Sequence, residues 1–213
     1  MLINTMSKLY VFCEWVMRLA YVNILWILFT LFGGIILGVF PATIALFTII
    51  RKWLLKEIDC PIWSTFKQSY RREFLKSNKL GAIIVYIAMF IIVDFVLIKT
   101  LSSNWQSILL VPLCIIAIAY VIMLTNIFPL YVHYELKNFI ATKQALFMGI
   151  LNIHMTLLTL ISCMGIVAFL VYQPVFLPIV GISALVEIVM VNGYYGICRI
   201  NAKREIAITY SIE

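Results

Sequence analysis

The chain has 213 residues, 64% of them hydrophobic and 12% charged, with a net charge of +7 and a mean hydropathy of +1.08. Soluble domains hold roughly 45–50% apolar and about 25% charged residues, so a water-soluble fold is excluded and an integral membrane protein with little outside the lipid is expected. The positive balance does not call for nucleic acid, because cytoplasmic loops of membrane proteins collect Lys and Arg.

The first apolar segment is read over residues 10–32. No small-residue cleavage site follows it, so it is expected to stay in the protein. Residues 19–50 carry no charge at all. As one helix this run would be a rod of about 48 Å, too long for a bilayer core about 30 Å thick. Gly33-Gly34 and Pro41 interrupt it, and Arg51-Lys52 end it. The expected arrangement is a hairpin whose second limb, 35–56, is short, broken near 33–41, and either spans or is re-entrant.

A link with its own helix, 61–78, comes next. Pro61 suits a helix start, and Asp59 lies near the positive end of the helix dipole. Ile62, Phe66, Tyr70 and Phe74 recur every four residues with Trp63 beside them, while Lys67, Arg71, Arg72 and Lys76 cover the rest. This pattern predicts an amphipathic helix. It either lies on the inner leaflet with its cations on anionic lipid, or docks a cytoplasmic partner through Trp63, Phe66, Tyr70, Arg71 and Phe74. The remaining apolar segments are 80–98, 107–131, 146–172 and 178–198. Ser102-Ser103-Asn104, the stretch from Glu135 to Lys143, and Gln173-Pro174 separate them.

The fold class expected is therefore all-α: one polytopic helical bundle over 1–213 with about six transmembrane segments. Six crossings put the N-terminus, 51–79, 132–145 and the tail on one side. That side holds Lys8, Arg51, Lys52, Lys56, Lys67, Arg71, Arg72, Lys76, Lys79, Lys137, Lys143, Arg199, Lys203 and Arg204, against Lys99 alone opposite. The positive-inside rule then places both termini in the cytoplasm. A re-entrant second segment leaves this assignment unchanged.

Little catalytic chemistry is legible. No phosphate loop ending in Gly-Lys-Ser/Thr, no HExxH and no GxSxG occurs, so neither ATP hydrolysis nor another enzyme activity is expected, and no cofactor. Cys13, Cys60, Cys114, Cys163 and Cys198 form no CxxC pair. They read as small buried hydrophobes rather than a metal site or a disulfide framework.

Ionisable residues inside the spans are costly in lipid and tend to face the bundle interior. Glu14 and Arg18 stand four apart, as a self-neutralising pair would. Asp94 lies near the outer end of the third span, close to Lys99, and is expected at the interface. Glu187 and His154 sit at similar depths, roughly 16 Å and 13 Å from the inner ends of their spans by helical rise. A polar cluster of His154, Glu187 and Asn152, with Arg18 in reach, is expected in the inner half of the bundle. It serves either as a helix-packing contact or as part of a substrate or proton path. Asn23 and Trp26 lie nearer the membrane middle, and Gly34 and Gly38 have a small-xxx-small spacing.

The order Glu14-Trp15, Asn23, Trp26, Gly33, Phe40-Pro41-Ala42-Thr43 and Arg51-Lys52-Trp53 resembles the YesL-like family of small bacterial membrane proteins. Phe66, Ser77-Asn78-Lys79-Leu80-Gly81, Phe128-Pro129-Leu130 and Lys143-Gln144-Ala145-Leu146 extend the match to about residue 200. The last two spans match only in hydrophobic character. The family supplies no catalytic residues to carry over. Its members are mainly from Gram-positive bacteria and are encoded with carbohydrate importers of the ATP-binding cassette type, sugar-degrading enzymes and sugar-responsive two-component regulators. The resemblance implies an accessory subunit packed on the permease and ATPase subunits of an oligosaccharide importer in the cell membrane. A stand-alone transporter or channel, or a membrane partner of a sugar-sensing regulator, are the alternatives; sugar contact is left open.

Overall fold

A computed structural model describes residues 2–100, 103–134 and 138–210, with side chains over 10–100, 105–134 and 140–200. Ser102, Glu135 and Lys137 lie outside the described residues, as do the side chains of Lys8, Ser103, Asn104, Lys203 and Arg204. The described residues are helical almost throughout. In chain order they form α1 (Leu2–Phe32), α2 (Ile36–Leu54), α3 (Ile62–Lys99), α4 (Ser103–Tyr134), α5 (Asn138–Leu151), α6 (Ile153–Tyr172), a 3₁₀ turn (Pro174–Phe176), a π turn (Leu177–Gly181) and α7 (Ile182–Tyr210). Six of these stretches are long and apolar enough to cross a membrane: Tyr10–Phe32, Ile36–Leu54, Ile62–Lys99, Trp105–Tyr134, Ile153–Tyr172 and Pro174–Ile200. The chain forms two compact units, one of Met1–Phe74 with Ile161–Met190, the other of Leu75–Leu160 with Val191–Glu213.

In the first unit α1 and α2 make the expected hairpin. Its turn is confined to Gly33–Ile35, with Gly34 at φ +74°, a backbone state in which glycine has no Cβ penalty. A Cβ on Gly38 would stand 2.3 Å from the Thr30 carbonyl oxygen, so the two helices close on each other at a glycine. Further down, the Trp26 indole donates to Thr43 Oγ1 (3.1 Å), and Trp15 meets Trp53 edge to face at 5.6 Å. Pro41 lies inside α2 and does not break it. The second limb is thus 19 residues, or about 28 Å. It ends in a Schellman motif: Glu57 N–H donates to Lys52 O, Lys56 N–H donates to Trp53 O, and Lys56 takes φ 67°.

Two segment boundaries differ from those expected. The amphipathic stretch 61–78 and the third span form one helix, α3, of 38 residues. Lys76 and Lys79 change its polarity, but no proline or glycine stands between Ile62 and Leu80 to stop it. The segment 146–172 is instead divided at Asn152, and helix already begins at Asn138 inside the polar link. Hydrogen bonds continue across the jog, from Asn152 N–H to Met148 O and from Thr156 N–H to Asn152 O.

The second unit packs α4 on α5. Gly149 lets α5 approach, since its Cβ would meet Ile122 Cγ2 at 2.4 Å. Buried Asn126 there donates to Ile122 O and Thr156 Oγ1. Gly193 of α7 lies against Pro129 in the same way.

Candidate functional site: a helix break closed by Asn23

The turn that opens the last span contains Pro178, which has no N–H to give a helix. The backbone widens into a π turn over Leu177–Gly181 before α7 begins. Such a widening leaves backbone groups without their ordinary partners, and π turns recur at functional positions. In an apolar setting those groups need a partner. Asn23 of α1 supplies it. Its Nδ2 donates to Pro178 O at 2.7 Å, and its Oδ1 accepts from Ile182 N–H and Ser183 N–H, both at 3.1 Å. One side chain 155 residues away in sequence thus closes three backbone valences of the break. Asn23 and Ser183 are both 0% exposed, so water does not compete. Ser183 Oγ adds a bond to Val180 O.

The residues of the predicted polar cluster are placed as follows. Arg18 and Glu187 belong to the first unit, Asn152 and His154 to the second. Within the first unit, Arg18 pairs with Glu14 (2.7 Å) and donates to Ile58 O (2.7 Å). The half-buried Glu187 has no hydrogen bond or ion pair among the described residues, so it is not Arg18's partner. Within the second unit, buried Asn152 donates to Gly196 O at 3.4 Å, whereas exposed His154 meets Arg199. Asn152 and His154 therefore serve different partners. The two lie at similar depth, but the azimuth of each side chain decides its contacts. The Glu14–Arg18 pairing agrees with its i,i+4 spacing.

The predicted docking face needs a larger correction. Phe66 is 0% and Tyr70 9% exposed. Both pack on Phe29 of α1, with ring centroids 5.1 and 5.0 Å away, and Trp63 is at 5.7 Å. Tyr70 also meets half-buried Phe74 edge to face at 5.6 Å. A Cβ on Gly33 would stand 2.4 Å from the Tyr70 hydroxyl. The aromatic stripe is thus spent on the hairpin, and Phe66 and Tyr70 are closed to a partner or a lipid surface. Trp63 and Arg71 keep exposed positions. Tyr70 and the Gly33-Gly34 turn share one end of the first unit, whereas six alternating crossings would set them on opposite sides. The cysteines are less buried than expected: Cys13, Cys114 and Cys198 are exposed, and Cys60 and Cys163 are half-buried, all as free thiols.

The residues quoted for the family resemblance find partners in this site and hairpin. Trp15 has Trp53, Trp26 has Thr43, Gly33 has Gly38 and Tyr70, and Asn23 has the π turn. Sequence reasoning singled out Asn23 only by depth. An uncharged amide in the middle of an apolar helix was the available signal; its partner was not legible.

All-helical architecture with six long apolar helices defines a polytopic membrane protein. The chain belongs to the YesL-like family. Residues 19–95 match the family described as "Protein of unknown function, DUF624". Three uncharacterized proteins of Bacillus subtilis (strain 168) are similar to it. YteU is 36% identical over 85% of this chain and 82% of its own, YesV 38% over 82% and 84%, and YesL 32% over 78% of each. No solved structure matches.

Proposed function

We propose that the protein is an accessory membrane subunit of an ATP-binding cassette carbohydrate importer, set in the bacterial cell membrane with both termini in the cytoplasm. One observation carries this reading over transport by the chain alone. The amides Asn23, Asn126 and Asn152 of its apolar helices are turned onto its own backbone, while the faces of most spans point outward. In five of the six spans at most 22% of the most apolar stretch is buried, against 56% in α2. Outward apolar faces suit packing on permease subunits as well as on lipid. ATP hydrolysis would fall to the importer's ATPases, since the sequence carries no phosphate loop. The sugar link rests on the resemblance to the family and needs no sugar contact by this chain. The Lys and Arg distribution supports the orientation. It holds also for a hairpin that does not cross, because 51–79 then returns to the side it left.

The test is gentle solubilisation of the tagged protein from sugar-induced cells and identification of what co-purifies. Permease or ATPase subunits in stoichiometric amount are expected. Recovery of the chain alone from several detergents would overturn the reading.

A stand-alone transporter or channel is favoured by one feature. The second break, at Pro174–Gly181, gives the hairpin break a counterpart, and paired breaks are found at substrate sites. The backbone groups there are already taken by Asn23, which weighs against it. Sugar or ion flux in liposomes holding only this protein would decide for it. Altered sugar-induced transcription with uptake intact would point to a regulator's partner instead.

A further inference from the structure

Asp94 is an ionisable side chain near the end of the apolar α3, and such residues pair with one another or with backbone groups. Lys99 is the near cation, but its Nζ lies over the Phe95 ring, 4.5 Å from the centroid. Asp94 has no ion pair or hydrogen bond among the described residues. It lines a groove of about 430 Å³ in the second unit, between α3 and α4, with Leu97, Thr100, Leu109, Pro112 and Leu113.

Among the described residues, the polar side chains lining this groove, Asp94 and Thr100, present acceptors to it. The Thr100 hydroxyl gives its proton to Leu97 O (2.7 Å), so its oxygen remains free to accept. The rest of the wall is aliphatic. A carboxylate and a hydroxyl oxygen beside an aliphatic wall match a head group that is cationic, rich in donors and carried on an apolar chain. A phosphate, which only accepts, has no donor to meet here.

We propose that the α3–α4 groove binds an amphiphile with a primary ammonium head, the ammonium on Asp94 and the alkyl chain along Leu97, Leu109 and Leu113. The occupant is a single-chain alkylammonium, for which dodecylammonium is the probe.

Full-length protein in phosphatidylcholine nanodiscs is titrated with dodecylammonium, dodecyltrimethylammonium and dodecanol, and occupancy is read by native mass spectrometry against empty nanodiscs. One dodecylammonium per chain is expected, bound roughly tenfold or more tighter than dodecanol, as a partly desolvated charge pair implies. The quaternary head donates no hydrogen bond and is expected to bind more weakly. Asp94→Asn should bring dodecylammonium to the level of dodecanol, and Leu113→Trp should remove both by filling the groove. Equal binding of dodecylammonium and dodecanol by the unaltered protein would overturn the site, a comparison that needs no variant to fold. Equal binding of the primary and quaternary heads would overturn the ammonium assignment. Undiminished binding by a folded Asp94→Asn protein would overturn the role of Asp94.

Discussion

Replacing Asn23 by Leu keeps a side chain of similar size and removes all three bonds to the π turn. Pro178 O, Ile182 N–H and Ser183 N–H would then face an apolar, water-free interior. A buried group left unsatisfied costs about 1–3 kcal/mol, which for three groups sets an upper range near 9 kcal/mol. Two effects reduce it. Ile182 N–H can move to Pro178 O, as in an ordinary α-turn, and so pair two of the three. Interhelical hydrogen bonds in membrane proteins average only about 0.6 kcal/mol, because the unfolded chain also finds partners in the bilayer; three of these set a lower range near 2 kcal/mol. The expected loss is about 2–4 kcal/mol, or a fall in melting temperature of roughly 5–15 °C for a chain of this size. Thermal unfolding in a maltoside detergent, read by circular dichroism, measures it. Asn23→Leu combined with Pro178→Ala should recover part of the loss, since an N–H at 178 lets the turn close as a regular helix. Asn23→Leu within about 0.5 kcal/mol of the parent would refute the capping argument, as would a double variant with purely additive losses.

Three further outcomes are expected in the same assay. Gly38→Ala brings a methyl to 2.3 Å from the Thr30 carbonyl oxygen, a backbone atom that cannot rotate away, and should cost about 1–3 kcal/mol as overpacking does; a neutral result would mean the hairpin limbs stand further apart. Phe29→Ala removes the ring that Trp63, Phe66 and Tyr70 share and should cost about 2–4 kcal/mol, below or within the range for a core Phe because the ring is only half-buried. It should also raise protease cleavage after Lys67 and Arg71, and unchanged cleavage would argue that α3 holds its place without Phe29. Lys56→Gly relieves a left-handed residue in the α2 Schellman motif and should stabilise by up to about 1 kcal/mol; a destabilised variant would show that the Lys56 side chain matters more than its φ.

Length and polarity of the helices were legible because the bilayer imposes them locally. A run such as 107–131 reads as a membrane-spanning helix, and Gly33-Gly34 in a charge-free run too long for one span suits a turn. The Glu14–Arg18 pair was legible for the same reason, its four-residue spacing being a property of one helix. The division between 61–78 and 80–98 was misjudged because polarity changed at Lys76–Lys79, whereas backbone continuity depends on breakers that are absent there. The jog at Asn152 shows the converse, since it needs neither proline nor glycine.

Partners across the chain were not legible in this way. The spacing of Phe66, Tyr70 and Phe74 marked an apolar face, but a periodicity says only that a face is to be covered, not by what; lipid, another protein and Phe29 satisfy it equally. Depth grouped Asn152 with His154, yet rotation about the helix axis gives one to Gly196 and the other to Arg199. A helical membrane chain, its approximate spans and the hairpin turn follow from residue order alone, because hydrophobic matching to a bilayer is a one-dimensional constraint. The closure of the aromatic stripe on α1 and the sealing of the Pro178 break by Asn23 emerge only in three dimensions. Both rest on contacts between residues far apart in the chain, set by azimuth and close approach, which no local pattern encodes.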